Sequence, residues 1–195
     1  MMGDACLDKC SKHPRIKVEM ISKNYLQYLD SLFGCLTTGV SLSISAEEAA
    51  RKNNMRNFTK NAKKENYSDM YVLYSRTLPE LEKFDWYGSE GKVWPKNIKL
   101  SPIVLKHWYV NDGYYHKSNA ADHIGISISN EVGNIDKINN YFSNVGLPTP
   151  SNYTTTKQSK NDNLKCDLQF TKSDSKILWD YMGKPLPDFE YKWPR

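Results

Sequence analysis

At 195 residues, 39% of them hydrophobic and 25% charged, the chain can form one domain or two small ones and is apolar enough to bury a core. A net charge of +5 permits a nucleic-acid partner without demonstrating one. No stretch is apolar for long enough to span a membrane, and "MMGDACLDKCSKHPR" contains no signal-peptide core, so the sequence predicts an intracellular protein, in the cytoplasm, nucleoid or an organelle matrix, with reduced thiols.

"RIKVEMISK" alternates, with Ile16, Val18 and Met20 on one side and Arg15, Lys17 and Glu19 on the other, which predicts a half-buried strand. "NYLQYLDSLFG" puts Tyr25, Leu29, Leu32 and Phe33 on one helical face, with Gly34 as its stop. "GVSLSIS" alternates again, with Val40, Leu42 and Ile44 inward. From Ala46 to Ser68 the chain is polar and charged and reads as a loop with a helical turn near Glu47 to Arg51. "DMYVLYSR" is a strand, "LPELEKFDWYG" a short helix, and "SEGKVWPKNIK" a linker.

Element order then restarts. Ser101 before Pro102 is a helix start, and Leu105, Trp108, Tyr109 and Asp112 share a face at i, i+3, i+4, i+7. "HIGISISN" alternates Ile124, Ile126 and Ile128 against His123, Ser127 and Ser129. "NIDKINNYFSNVG" is a helix, "NYTTTKQSK" is β-prone, "KCDLQFTK" alternates, and "SDSKILWDYMG" is a last helix capped by Ser173. "GDACL" stands where "NDGYY" stands, and "KVWPK" closes the first half as "YKWPR" closes the second. A duplicated unit follows, residues 1–96 and 97–195; the competing reading is one α+β domain with chance similarity.

Metal signals of the Cys/His type are weak. Cys6, Cys10 and His13 match no standard zinc spacing. His107, His116 and His123 fall on a helix end, a loop and a strand, which argues against a shared ion. The carboxylates are more informative. If the helices ending in Asp4 and Asp112 pack along their apolar stripes, the two carboxylates meet, and their repulsion calls for divalent cations. Hard oxygen ligands with room for water and phosphate favour Mg²⁺, and two such ions stabilise both oxygens of an in-line phosphoryl displacement. The outward strand residues Arg15, Lys17, Ser127, Ser129, Lys165 and Gln169, with Lys157 from the β-prone segment, can face a DNA groove.

"LKHWYVNDG" resembles the second dodecapeptide motif of LAGLIDADG homing endonucleases, with Leu105 at its first leucine and Asp112-Gly113 at its end. "MMGDA" resembles the tail of the first motif, with Asp4 at the metal-ligand position and Ala5 in place of the final glycine. The resemblance is to the monomeric two-repeat members. It implies an α+β fold of two αββαββα repeats forming a DNA saddle, a first motif helix truncated at Met1, and Mg²⁺-dependent cleavage of both strands of a long double-stranded DNA site. It also implies basic residues near the scissile phosphates, for which Lys92 and Lys192 stand at the two repeat ends. The alternative is the same saddle without cleavage, as an RNA maturase binding intron RNA. More remote is a structural α/β protein in which Asp112 only forms a turn and Arg15 and Lys17 a solvated strand face.

Overall fold

Alternating strands and capped amphipathic helices alternate along the chain in the computed structural model, which describes residues 5–9, 12–55, 63–83, 87–88, 91–92, 98–117, 122–128, 135–157 and 164–194, with backbone alone at 87–88, 91–92, 154–157 and 164–165. The chain divides into two units, one reaching Asp85 and one starting at Trp86. Among the described residues no helix is long and apolar enough to cross a membrane.

The first unit is a four-stranded antiparallel sheet in the order β1 (Cys6–Asp8), β2 (Arg15–Met20), β4 (Met70–Ser75), β3 (Thr37–Ile44). Helix α1 (Lys23–Phe33) starts where the Ser22 hydroxyl accepts the Tyr25 N–H and stops at Gly34, whose φ of 55° suits a residue without a Cβ. Its buried residues are Tyr25, Leu26 and Leu29. Leu32 and Phe33, expected on that face, are about half exposed. Phe33 instead borders an apolar cavity of about 110 Å³ with Ile16, Val18, Leu36 and Leu73.

The stretch after β3 is not the expected loop. Helix α2 (Ala46–Met55) turns only Ala46 and Ala50 inward, too thin a stripe for apolar periodicity to reveal. Its start is encoded in Ser45 and Glu48, at capping-box spacing: the Ser45 hydroxyl accepts the Glu48 N–H, and Glu48 pairs with Lys52 one turn on. The expected helix after β4 is a 3₁₀ turn over Pro79–Lys83.

The second unit opens with a short hairpin, β5 (Tyr87–Gly88) and β6 (Gly91–Lys92), and continues as α3 (Pro102–Asp112), β7 (Gly113–His116), β8 (His123–Ser127), α4 (Ile135–Ser143), β9 (Asn152–Lys157), β10 (Leu164–Gln169) and α5 (Lys172–Met182). Its main sheet is antiparallel in the order β7-β8-β10-β9. Ser101 caps α3 with Pro102 in its first turn, as expected. For α5 the cap is Thr171, not Ser173; its hydroxyl accepts the Asp174 N–H.

Ile124, Ile126 and Ile128 are at most 1% exposed, as are Trp108, Phe142 and Leu178 of the helices. Phe142 joins Trp108 at 6.2 Å and Phe170 at 5.3 Å between ring centroids. Such close aromatic contacts add to burial. Ile16 and Val18, the matching alternation in β2, are only half-buried. Helices α3 and α5 both contact β8, whereas among the described residues no helix precedes β1.

Candidate active site and nucleic-acid face

Asp112 is the last residue of α3, half-buried, and β7 begins at the next residue. Gly113 has φ −88°, so the left-handed turn that a helix-ending glycine suggests is not what requires it. Its reason is space. A Cβ there would lie 2.1 Å from Tyr109 Cδ2 and 2.5 Å from the Tyr109 carbonyl oxygen, and a backbone oxygen cannot swing away. Gly113→Ala therefore overpacks the helix end and is expected to cost about 1–3 kcal/mol, read as a lowered thermal midpoint. A midpoint equal to wild type would contradict the contact.

Lys192 is brought to this same helix end. It lies in a 3₁₀ turn over Glu190–Lys192 and is 7% exposed. Its ammonium donates to the Val110 carbonyl at 2.7 Å and the Gly113 carbonyl at 2.6 Å, while the Tyr109 hydroxyl donates back to the Lys192 carbonyl at 2.7 Å. Val110 O is one of the four carbonyls an α-helix leaves without an internal partner, and the negative end of the helix dipole favours a cation there. Burial pushes the Tyr109 hydroxyl far above the usual tyrosine range, so it stays a donor. Lys192, the candidate basic residue at the second repeat end, is thus an interior lysine that ties the last 3₁₀ turn to the segment carrying Asp112.

The donors at this end are oxygens. Beside Asp112, Asn111 donates its amide N–H to the His107 carbonyl at 2.6 Å, and its own Oδ1 is buried without a hydrogen-bond partner. A carboxylate with an unspent amide oxygen next to it suits a hard cation such as Mg²⁺ better than a soft one. Among the described residues no three His, Cys, Asp or Glu side chains cluster as a metal site. Asp4 lies outside the described residues, as do Ser129 and the side chains of Lys92, Lys157 and Lys165. Aligned on the shared Trp-Pro, moreover, Lys192 falls opposite Val93 rather than Lys92.

On the first sheet, strand alternation puts Arg15 and Lys17 on the face opposite Ile16 and Val18. Both are already engaged by acids. Arg15 donates Nε and Nη2 to Asp8 Oδ2, each at 2.8 Å, and its guanidinium lies 3.8 Å from the centre of the Tyr74 ring. Lys17 bonds Glu19 Oε2 at 2.7 Å, and the other Glu19 oxygen accepts from the Ser43 hydroxyl. The bond to Glu19 raises the Lys17 pKa, and the bonds from Lys17 and Ser43 lower that of Glu19. Glu19 is legible in the sequence as the i+2 neighbour of Lys17 on one strand face. Asp8 is not, because its pairing depends on the β1–β2 register.

On the second sheet, Ser127 and Gln169 share the face away from the isoleucines, as the alternation predicts, with Asp167, His123 and, from β7, Tyr114 and His116. The Tyr114 ring lies across Gly125, where a Cβ would come within 2.1 Å of it, and its hydroxyl bonds the Gln169 side chain. Burial and the nearby Asp167 raise the Tyr114 pKa, while the bond from Gln169 lowers it. The two sheet faces differ in kind: ion pairs on the first, and on the second an acid, Asp167, among hydroxyl, amide and imidazole groups.

The sequence matches the LAGLIDADG DNA endonuclease family over residues 1–178. No curated relative matches it. Among solved structures, the homing endonuclease I-WcaI bound to its DNA recognition sequence is similar in fold, with a TM-score of 0.70 at 13% identity over 97% of this chain and 80% of that one. The N-terminal LAGLIDADG domain of DUF199/WhiA gives a TM-score of 0.47 at 10% identity, over 93% and 77% of the two chains.

Proposed function

This chain belongs to the LAGLIDADG DNA endonuclease family, and from that premise we propose that it is a site-specific double-strand DNA endonuclease of a mobile intron or free-standing mobile element, acting by Mg²⁺-dependent phosphodiester hydrolysis. The observation that carries the reading is the meeting of Asp112 and Lys192 at one helix end, where β7 leads directly onto a polar sheet face.

The two-repeat organisation, residues 1–96 and 97–195, is supported by register. Asp8 faces Arg15 across the first hairpin and His116 faces His123 across the second. One interval of 108 positions (116 less 8, 123 less 15) carries the first rung onto the second, and the same interval carries Asp4 onto Asp112. Both sheets also follow one strand order. Each repeat is read as αββαββα, with α2 an insertion.

In this reading Asp112, with Asp4 from the other repeat, holds Mg²⁺, which supplies charge stabilisation of the attacking and leaving oxygens. Lys192 keeps the end of α3 in place and adds positive charge beside the phosphate. Arg15, Lys17, Ser127 and Gln169, with Ser129, Lys157 and Lys165, hold duplex DNA on the sheet faces. The direct test incubates the protein with a randomised duplex target library and recovers cut ends. Cutting at one long site with Mg²⁺ and none with EDTA is expected. Retained binding to DNA or intron RNA without any cut would instead favour the maturase role.

Because Arg15 and Lys17 each sit against an acid, a DNA phosphate must compete for them. Replacing both with alanine is expected to weaken duplex binding and reduce the slope of log affinity against log salt by about one to two units. Asp8→Asn and Glu19→Gln are expected to do the opposite, freeing the cations and tightening binding. Fluorescence anisotropy across a salt series measures both, and an unchanged slope in the alanine protein would remove this face from the interface.

A further inference from the structure

We infer that His116 and His123 form a binding site for a borderline divalent transition-metal ion such as Zn²⁺, Ni²⁺ or Cu²⁺, separate from the oxygen-rich end of α3. The spacing in sequence argues against a shared ion only if His116 lies in a loop. It is the last residue of β7, and the antiparallel register makes it the direct partner of His123 on β8. The ring centroids are 4.6 Å apart and the planes tilted by 39°. A Zn–N bond is about 2.0–2.1 Å, so one ion can bridge two rings this close after a small side-chain rotation.

Three further observations favour a ligand there. Neither imidazole has a hydrogen-bond or ion-pair partner among the described residues, so their ring nitrogens are uncommitted. Strand β7 is the edge of its sheet and His116 is exposed, so an ion can enter from solvent. The corresponding rung of the first sheet is closed by the Asp8–Arg15 ion pair at 2.8 Å, so side chains at this position can reach across the hairpin. Two neighbouring, tilted imidazoles gain little from each other; an ion between them uses both lone pairs. Imidazole nitrogen prefers Zn²⁺, Ni²⁺ and Cu²⁺ to Mg²⁺. Two protein ligands leave the other coordination positions to water, or to a phosphate or purine nitrogen brought to this face.

The test is calorimetric titration of the whole chain with NiCl₂ and ZnCl₂ in excess MgCl₂ and without DNA, with the imidazole resonances followed by NMR. Saturation at one site is expected, with shifts confined to His116 and His123. His116→Asn and His123→Asn, each checked for an unchanged circular dichroism spectrum, should each abolish that site, whereas Asp112→Asn and His107→Asn should retain it. Binding that survives both histidine substitutions, or resonances that do not move at millimolar Ni²⁺, overturns the proposal. Cleavage plays no part in the readout, so loss of the endonuclease reading would leave this result standing.

Discussion

Asp112→Asn is expected to abolish Mg²⁺-dependent cleavage while leaving duplex affinity at or slightly above the wild-type value. The substitution keeps the shape at the end of α3 and removes only the charge. A carboxylate that ligates Mg²⁺ supplies charge that an amide cannot replace, and losing stabilisation of the attacking and leaving oxygens costs at least ~4 kcal/mol, or roughly a thousandfold in rate. DNA affinity comes instead from the sheet faces, where Arg15 and Tyr74 or Tyr114 and Gln169 are untouched. One fewer negative charge near phosphate also works in favour of binding. Single-turnover cleavage beside anisotropy separates the two effects. Normal cutting by the Asp112→Asn protein would reduce Asp112 to a helix-ending turn residue.

Lys192→Met should lower both stability and cleavage. Methionine fills much of the same buried space but leaves the carbonyls of two buried residues, Val110 and Gly113, without their donor. Hydrogen bonds from a charged group contribute about 1.5–3 kcal/mol each, offset in part by relief of the cost of burying an ammonium. A net loss of about 2 kcal/mol is expected, near 4–8 °C in the unfolding midpoint for a chain of this size. The Tyr109 hydroxyl still reaches the backbone carbonyl at position 192, so the 3₁₀ turn stays attached and the unit folds. Cleavage should then fall further than binding, because the segment carrying Asp112 loses its tether. Lys192→Arg keeps a cation and donors but in a larger fork, so it should recover stability only in part. A Lys192→Met protein with wild-type melting would show that the two short contacts do not hold the helix end.

The alternating strands β2, β3, β4, β8 and β10 and the capped helix before Asp112 were legible because they are local properties, whereas β7, whose last residue His116 was expected in a loop, was not. Period-2 patterning sets which of Arg15 and Ile16 or Ser127 and Ile126 faces the core, whatever the rest of the chain does. The Ser101-Pro102 start and Asp112 end of α3 are likewise written within a dozen residues. Where the reading failed, the local signal was thin. Helix α2 buries two alanines, and the 3₁₀ turn over Pro79–Lys83 carries a helical composition without a full helix.

What the sequence determined by itself was the alternating strands and most helices, the inward faces of β8 and β10, and the Asp112-Gly113 pair whose resemblance pointed to the family; the inward faces expected for Leu32, Phe33 and Leu42 did not hold, all three being about half exposed. Tertiary structure alone decided the partners. Asp8 meets Arg15 and His116 meets His123 through hairpin register, and Lys192 reaches the carbonyls of Val110 and Gly113 from about eighty positions away. The fate of a charged or titratable side chain depends on which group stands within a few ångströms of it. For residues far apart along the chain, that distance is set by how the layers pack, a quantity no periodicity or spacing contains.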